Sequence, residues 1–335
     1  MKTKLWFFNK LAVILLASSM FSGVMAQSTI PQQQARQIID ATYVKDAICF
    51  VPSGILAEET QAEGSDLFGF DLTRGWFDRP RHTHLSPMGT PLIHPFRAEP
   101  AFTLTDLLMD YSYRNETGLN EHEIETEMEL ALTRRAGLIV EIPYRCIDRD
   151  HDASVNGFGD LAVSPRFLLA EYDRFLLASS LEIATPTGDS GRDLGHGEVA
   201  LAPSLSGWFD LGHWWTVHAQ CGSEHALQSN ESELFFRAAL IHTFGAKEDK
   251  QDDNNHDADH DELHGLAPGI LSLIFEVDSA IGLSGEEDGD VAAEGIVGAY
   301  YSLTKHIDLR IGYQFPLTTS EDLNNGVIGG LIWHF

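Results

Sequence analysis

The chain has 335 residues, 43% hydrophobic and 21% charged, which excludes a wholly disordered protein. Acids outnumber bases 50 to 22, and the formal charge of −28 excludes the basic footprint that a nucleic-acid binder needs. Three cysteines at this length exclude a disulfide scaffold, while 29 glycines and 10% aromatics suit a β-rich protein with many turns.

Residues 1–26 read as a secretory signal peptide. Lys2, Lys4 and Lys10 form a basic start, Leu11 to Leu16 is an unbroken apolar run, and Val24-Met25-Ala26 is a small-residue cleavage site. Residue 27 is Gln rather than Cys, which argues against a lipoprotein. Removing this segment takes away three lysines and no acids, leaving 309 residues and a charge of −31. No later apolar run approaches the roughly 20 residues of a spanning helix. Two exported forms remain: a soluble β-protein, or a transmembrane β-barrel, in which only every second residue is apolar.

Residues 27–100 do not alternate and are assigned to an N-terminal periplasmic or plug segment. Gln32 to Val44 fits a short amphipathic helix, and Gly54 to Pro100 is rich in Gly, Pro and His. The expectation is a plain periplasmic extension, with a plug threaded into a lumen as the alternative. His82, His84 and His94 lie here. Two ligands in His82-x-His84 do not make a metal site, so these are expected to be surface histidines.

From residue 101 the chain alternates. Ile307 to Phe315 places apolar or aromatic residues at every odd position and polar residues or Gly at every even one. A helix fails here, because Ile307 would share a face with Arg310 and Ile311. Twelve such segments are expected, at 101–113, 123–134, 136–147, 159–171, 174–185, 198–209, 214–223, 231–242, 269–281, 292–302, 307–315 and 326–335. Their length matches the roughly 9–11 residues of a transmembrane strand rather than the 5–6 typical of soluble sheets. Connections after the second, fourth, sixth and tenth segments are tight; those after the first, third, fifth, seventh, ninth and eleventh are longer. Short periplasmic turns with longer outer loops mark an outer-membrane barrel, and an even strand count puts both ends on the periplasmic side. Tyr144, Phe175, Tyr301, Tyr313, Phe315, Trp333 and Phe335 fall near the ends of outward rows, as interfacial girdles do. The fold class is therefore all-β: an antiparallel transmembrane β-barrel of about twelve strands.

The other rows then face the interior, because Arg or Lys facing lipid at mid-membrane costs roughly 2–4 kcal/mol. They carry Glu123, Glu125, Glu127, Glu129, Glu141, Glu182, Glu276, Asp278 and Asp308 against Arg145, Arg166, Arg237 and Arg310. One reading is a pore that favours cationic or neutral solutes. The other is a salt-bridged interior in which the arginines simply pair the acids.

Residues 246–265 interrupt the pattern with a His- and Asp-rich insert. His256, His260 and His264 recur every fourth residue and would share a helical face among carboxylates, which suits weak binding of Zn²⁺, Ni²⁺ or Cu²⁺. The favoured reading is a solvated acidic linker. No cofactor is otherwise expected. Cys146 and Cys221 fall toward one rim but a third of the barrel apart, and Cys49 is distant in sequence, so free thiols are expected.

There is no P-loop, G-x-S-x-G, H-E-x-x-H or C-x-x-C motif. A lipid-cutting barrel needs a Ser–His pair facing lipid near the outer leaflet. His218 faces inward, and no outward Ser–His pair is expected, so the protein is read as a non-enzyme, with a lipid-modifying enzyme as the minor alternative.

Gly157-Phe158-Gly159-Asp160-Leu161, Pro186-Thr187-Gly188-Asp189 and the final strand ending in Phe335 resemble the outer-membrane transporter-like family of the putative MetA pathway of phenol degradation. The resemblance covers roughly residues 90–335, and a terminal aromatic residue is similar to the assembly signal of bacterial outer-membrane proteins. It implies an outer-membrane barrel that passes small hydrophobic or aromatic compounds. The function expected is passive passage of a small solute, neutral or cationic, with outer-membrane lipids and the barrel-assembly machinery as partners. A non-transporting surface barrel is the alternative.

Overall fold

The computed structural model describes residues 75–151, 153–245, 265–285, 289–319 and 322–335. All belong to one compact unit, Gly64–Phe335. The signal peptide, residues 27–74 and nearly all of the insert, with His256, His260 and His264, lie outside the described residues.

The strands are β1 Asp106–Glu116, β2 Leu119–Ala131, β3 Ala136–Arg149, β4 Val155–Phe158, β5 Leu161–Tyr172, β6 Phe175–Thr185, β7 Ala200–Gly212, β8 Trp215–Ala226, β9 Ser232–Phe244, β10 Leu271–Ser284, β11 Val291–Thr304, β12 Ile307–Pro316 and β13 Leu323–His334. Consecutive strands pair antiparallel except β4 with β5, and β1 also pairs with β13, which closes the sheet. β4 and β5 are one stave of the barrel, broken at Gly159-Asp160: β5 pairs with the first half of β3, and β4 with the second. The barrel therefore has twelve staves. Closure matters physically, since an open sheet edge would leave unpaired N–H and C=O groups in hydrocarbon. No helix among the described residues is long and apolar enough to cross a membrane.

Alternation sorts side chains between lipid and interior. On β12, Asp308, Arg310 and Gln314 are buried, while Leu309, Ile311 and Tyr313 face outward. Met128, Ile142, Phe167, Phe275 and Trp333 extend the outer apolar band. Phe175 departs from its girdle role: Tyr172 and Phe209 stack against it, and it is buried on the outer face.

Two boundaries differ from expectation. The first strand starts at Asp106 rather than 101, because Ala101, Phe102 and Leu104 pack inside the barrel. The connection from β1 to β2 is not long but a two-residue turn, Thr117-Gly118, with Gly118 at φ +85°. The ladder continues through Arg114↔Glu121 and Asn115↔Asn120, where Asn115 donates to Asn120 at 2.7 Å. Polar residues beyond the apolar band need not alternate, so hydrophobic periodicity cannot find them.

The break in the β4–β5 stave explains two glycine motifs. Asp160 turns its carboxylate to accept the N–H groups of Gly188 at 2.8 Å and His196 at 2.7 Å, which straps the β6–β7 loop over the break. A Cβ at Gly188 would lie 2.6 Å from the Leu194 carbonyl oxygen, a backbone atom that cannot move aside cheaply. Gly188→Val is expected to destabilise this loop by about 1–3 kcal/mol. Limited proteolysis should then cut within 186–199 in the variant and spare the wild type; equal resistance would refute the strap.

Candidate functional site

The interior is divided in two. Near the short-turn end, residues 84–104 run inside the barrel as irregular chain. Leu92, Ile93, Phe96, Ala98, Ala101, Phe102 and Leu104 are buried. Ile93 and Phe96 pack with Leu108, Ile241, Ile274, Ile296, Ile328 and Ile332 of the wall. Leu92, Ala101, Phe102 and Leu104 pack with Leu168, Leu176, Ala178 and Trp208. This segment is therefore a plug, not the plain extension that was the first expectation. The physical reason is the wall itself: a row of inward isoleucines needs an apolar partner.

A plug without regular structure needs partners for its backbone groups. Residues expected to line a lumen supply them. Glu276 accepts the N–H groups of Phe96 at 2.7 Å, Arg97 at 2.9 Å and Ala98 at 2.6 Å. Arg310 donates to the Pro95 carbonyl and pairs with Asp110. Arg166 donates to the Phe102 carbonyl at 3.1 Å and pairs with Glu129 at 3.1 Å and with Glu99 of the plug. Gln220 accepts the Glu99 N–H at 3.1 Å.

Toward the long-loop end the interior opens into a cavity of about 300 Å³, lined by Arg97, Arg114, Arg145, Arg237, Glu121, Glu123, Glu233, Asp278 and Glu294 among others. Its charges are paired across strands. Arg145 lies 2.7 Å from Glu123 and 3.4 Å from Glu121; Arg114 lies 2.9 Å from Glu294; Arg237 lies 3.2 Å from Asp278. Five acids against four arginines leave this vestibule slightly acidic.

Between vestibule and plug lie the remaining inward acids. Glu125, Glu127, Glu141 and Glu182 all point inward, and Glu127 is buried beside Glu99 and Glu129. Among the described residues, Glu125, Glu141 and Glu182 have no hydrogen-bond partner. The thirteen inward residues read from the sequence thus fall into three groups: Glu123, Arg145, Arg237 and Asp278 in the vestibule, Glu125, Glu127, Glu141 and Glu182 below it, and Glu129, Arg166, Glu276, Asp308 and Arg310 at the plug end. Phe335 ends the chain beside the barrel seam, its N–H on the Thr105 carbonyl at 3.3 Å.

Two expectations are corrected. His84 and His94 are not surface histidines; both are buried, because they travel into the barrel with the plug. An outward Ser–His pair does exist: Ser223 Oγ lies 2.9 Å from His225 Nε2 on the exposed face of β8, toward the long-loop end. The residues are two apart, so a strand puts both on one face. Among the described residues no carboxylate or amide orients the other ring nitrogen, and a hydroxyl without an oriented base is a weak nucleophile. Cys146 and Cys221 are free thiols on the outer face.

No protein-family model matches the chain, and no curated protein matches it. Solved structures are similar to it in part or in whole. An outer membrane channel from Pseudomonas putida F1 superposes with a TM-score of 0.52 at 16% identity, over 72% of this chain and 100% of that one. The NanC porin gives 0.44 at 9% identity, over 68% and 99% of the two chains. LpxR from Salmonella typhimurium gives 0.41 at 12% identity, over 69% and 100%. The fold of this chain is that of an outer-membrane β-barrel.

Proposed function

We propose that this protein is an outer-membrane channel for a small polar solute, neutral or cationic, held closed at its periplasmic end by residues 84–104. The observation that carries the reading is the division of one interior into an open charged vestibule and a docked plug. A barrel serving only as a surface anchor has no use for a solvated cavity above an acidic interior. The export signal at residues 1–26, the assembly role of Phe335 and the outer-membrane lipids as surroundings belong to the same proposal. Passage by the Pseudomonas putida channel and the resemblance to the MetA-pathway transporter-like family both favour transport. The family resemblance implies hydrophobic or aromatic solutes, but the vestibule lining favours polar ones: an apolar solute would meet nine charged side chains and only Phe235, Ala280 and Ala292 as apolar partners.

The mechanism is diffusion past fixed charges. Solute enters between the outer loops, exchanges water for the paired charges of the vestibule, and meets the excess acid at Glu125, Glu127, Glu141 and Glu182. The plug must yield before it leaves. Converting Glu125, Glu127 and Glu129 to Gln is expected to lower cation over anion selectivity in planar-bilayer recordings of the full chain, measured as the reversal potential in a salt gradient. An unchanged reversal potential would make these glutamates structural. Absence of conductance in the wild type and in every plug-loosened variant would favour the second reading, a closed surface barrel, which the docked plug itself supports.

A further inference from the structure

We propose that His84, His94 and Asp106 form a binding site for one first-row transition-metal dication, zinc-like in its ligand preference, that fastens the plug to the barrel wall. His84 and His94 belong to the plug, and Asp106 opens β1. The Nε2 atoms of both histidines converge on one oxygen, Asp106 Oδ2, at 3.0 and 3.2 Å. Two ligand atoms bound at about 2.0–2.1 Å in tetrahedral geometry lie roughly 3.3 Å apart. The three ligand atoms lie within 4.8 Å of one another, so one ion placed among them reaches all three. Imidazole nitrogens with one carboxylate oxygen are a ligand set that suits Zn²⁺, Ni²⁺ or Cu²⁺ rather than Ca²⁺ or Mg²⁺. Three protein ligands leave a fourth position for water.

The surroundings resemble the outer shell of a metal site. Asp106 is fully buried, and its second oxygen, Oδ1, is held by His334 Nδ1 at 2.8 Å. The register of β1 with β13 puts His334 opposite Asp106. The other ring nitrogen of His334 lies 2.6 Å from Asp308 Oδ2, and the Tyr300 hydroxyl donates to the same oxygen. His334 thus has a carboxylate oxygen at each of its two ring nitrogens, which holds the ring and the Asp106 carboxylate in place. A dication between His84, His94 and Asp106 would set a positive charge beside the buried Asp106 carboxylate. Outer partners of this kind fix the orientation of ligating groups and tune affinity. The site also has a mechanical consequence. Two ligands come from the plug and one from the wall, so metal affinity adds directly to plug docking. The inference stands whether or not solute passes.

The test uses the full chain, untagged, in detergent, with His256→Ala, His260→Ala and His264→Ala so that the insert contributes no imidazole. Zn²⁺ or Co²⁺ is added alone, and unbound metal is removed by dialysis. The expected result is one equivalent per chain by elemental analysis, with the strong visible bands of tetrahedral Co²⁺ and no thiolate charge-transfer band. His84→Ala and His94→Ala should each abolish the bands, and His334→Gln should weaken binding about 10–100-fold. Compact migration of the unboiled protein on a gel checks that each variant is folded. Less than a tenth of an equivalent bound, weak octahedral Co²⁺ bands, or binding unchanged in both alanine variants would each overturn the proposal. Should the alanine variants fail to fold, the stoichiometry and spectrum of the insert-silenced parent decide alone.

Discussion

Glu276→Ala is expected to turn a nearly closed barrel into a conducting one. The Glu276 carboxylate is buried and accepts three consecutive backbone N–H groups of the plug, from Phe96, Arg97 and Ala98. A hydrogen bond to a charged group contributes about 1.5–3 kcal/mol, and a buried donor left without a partner costs about as much again. Loss of all three is expected to weaken docking by roughly 5 kcal/mol, a factor of several thousand in the ratio of docked to released plug. Among the described residues no other side chain accepts from these three donors. The released segment regains its hydrogen bonds from water in the vestibule, so the barrel itself should survive. In planar bilayers the wild type should show rare, brief openings and the variant sustained conductance. Glu276→Gln should fall between, since an amide oxygen accepts without charge. A correctly folded Glu276→Ala protein that conducts no more than wild type would show that the plug does not gate the lumen.

The second large effect is expected at Arg166. Its guanidinium is buried and ties three groups together: Glu129 on β2, Glu99 of the plug and the Phe102 carbonyl. Arg166→Ala leaves Glu129, itself buried, without its counter-charge. Breaking a buried ion pair by removing one partner costs about 3–5 kcal/mol, mostly the penalty of the stranded charge. The temperature at which the compact gel band converts to the slow one should fall markedly. Arg166→Ala combined with Glu129→Gln should recover much of the loss, because the stranded charge is then gone. Equal thermal stability of wild type and Arg166→Ala, or no recovery in the double variant, would contradict this account of the interior.

Much of the wall was legible in the sequence, and the interior much less so. Alternation sufficed to send Glu125, Glu141, Arg166 and Arg310 inward, because lipid on one side admits a single assignment of a strand's two faces. The same alternation placed Ile241, Ile274, Ile296, Ile328 and Ile332 on inward rows, a signal that a water-filled lumen was wrong at that end. An inward isoleucine and a lipid-facing one look alike in the sequence, so the signal carries no partner with it. The plug was hidden for a different reason. Residues 84–104 have no period, since an irregular segment takes its hydrogen bonds from the wall and not from itself. Ser223 and His225 were missed although they stand two apart on one strand, because β8 was ended at 223 and the polar continuation to Ala226 carries no apolar alternation.

By itself the sequence determined a closed antiparallel barrel, its twelve staves, the side of most strand residues and that both termini of the barrel lie at one end. These follow from a period of two, a span set by membrane thickness and the prohibition on open edges in hydrocarbon. Only the tertiary structure decided what fills the interior. Glu276 and Phe96 are 180 residues apart in sequence, and Asp106 and His334 are 228 apart. No local pattern records such pairings: they arise when barrel closure brings β1 beside β13 and an aperiodic segment folds back among the strands.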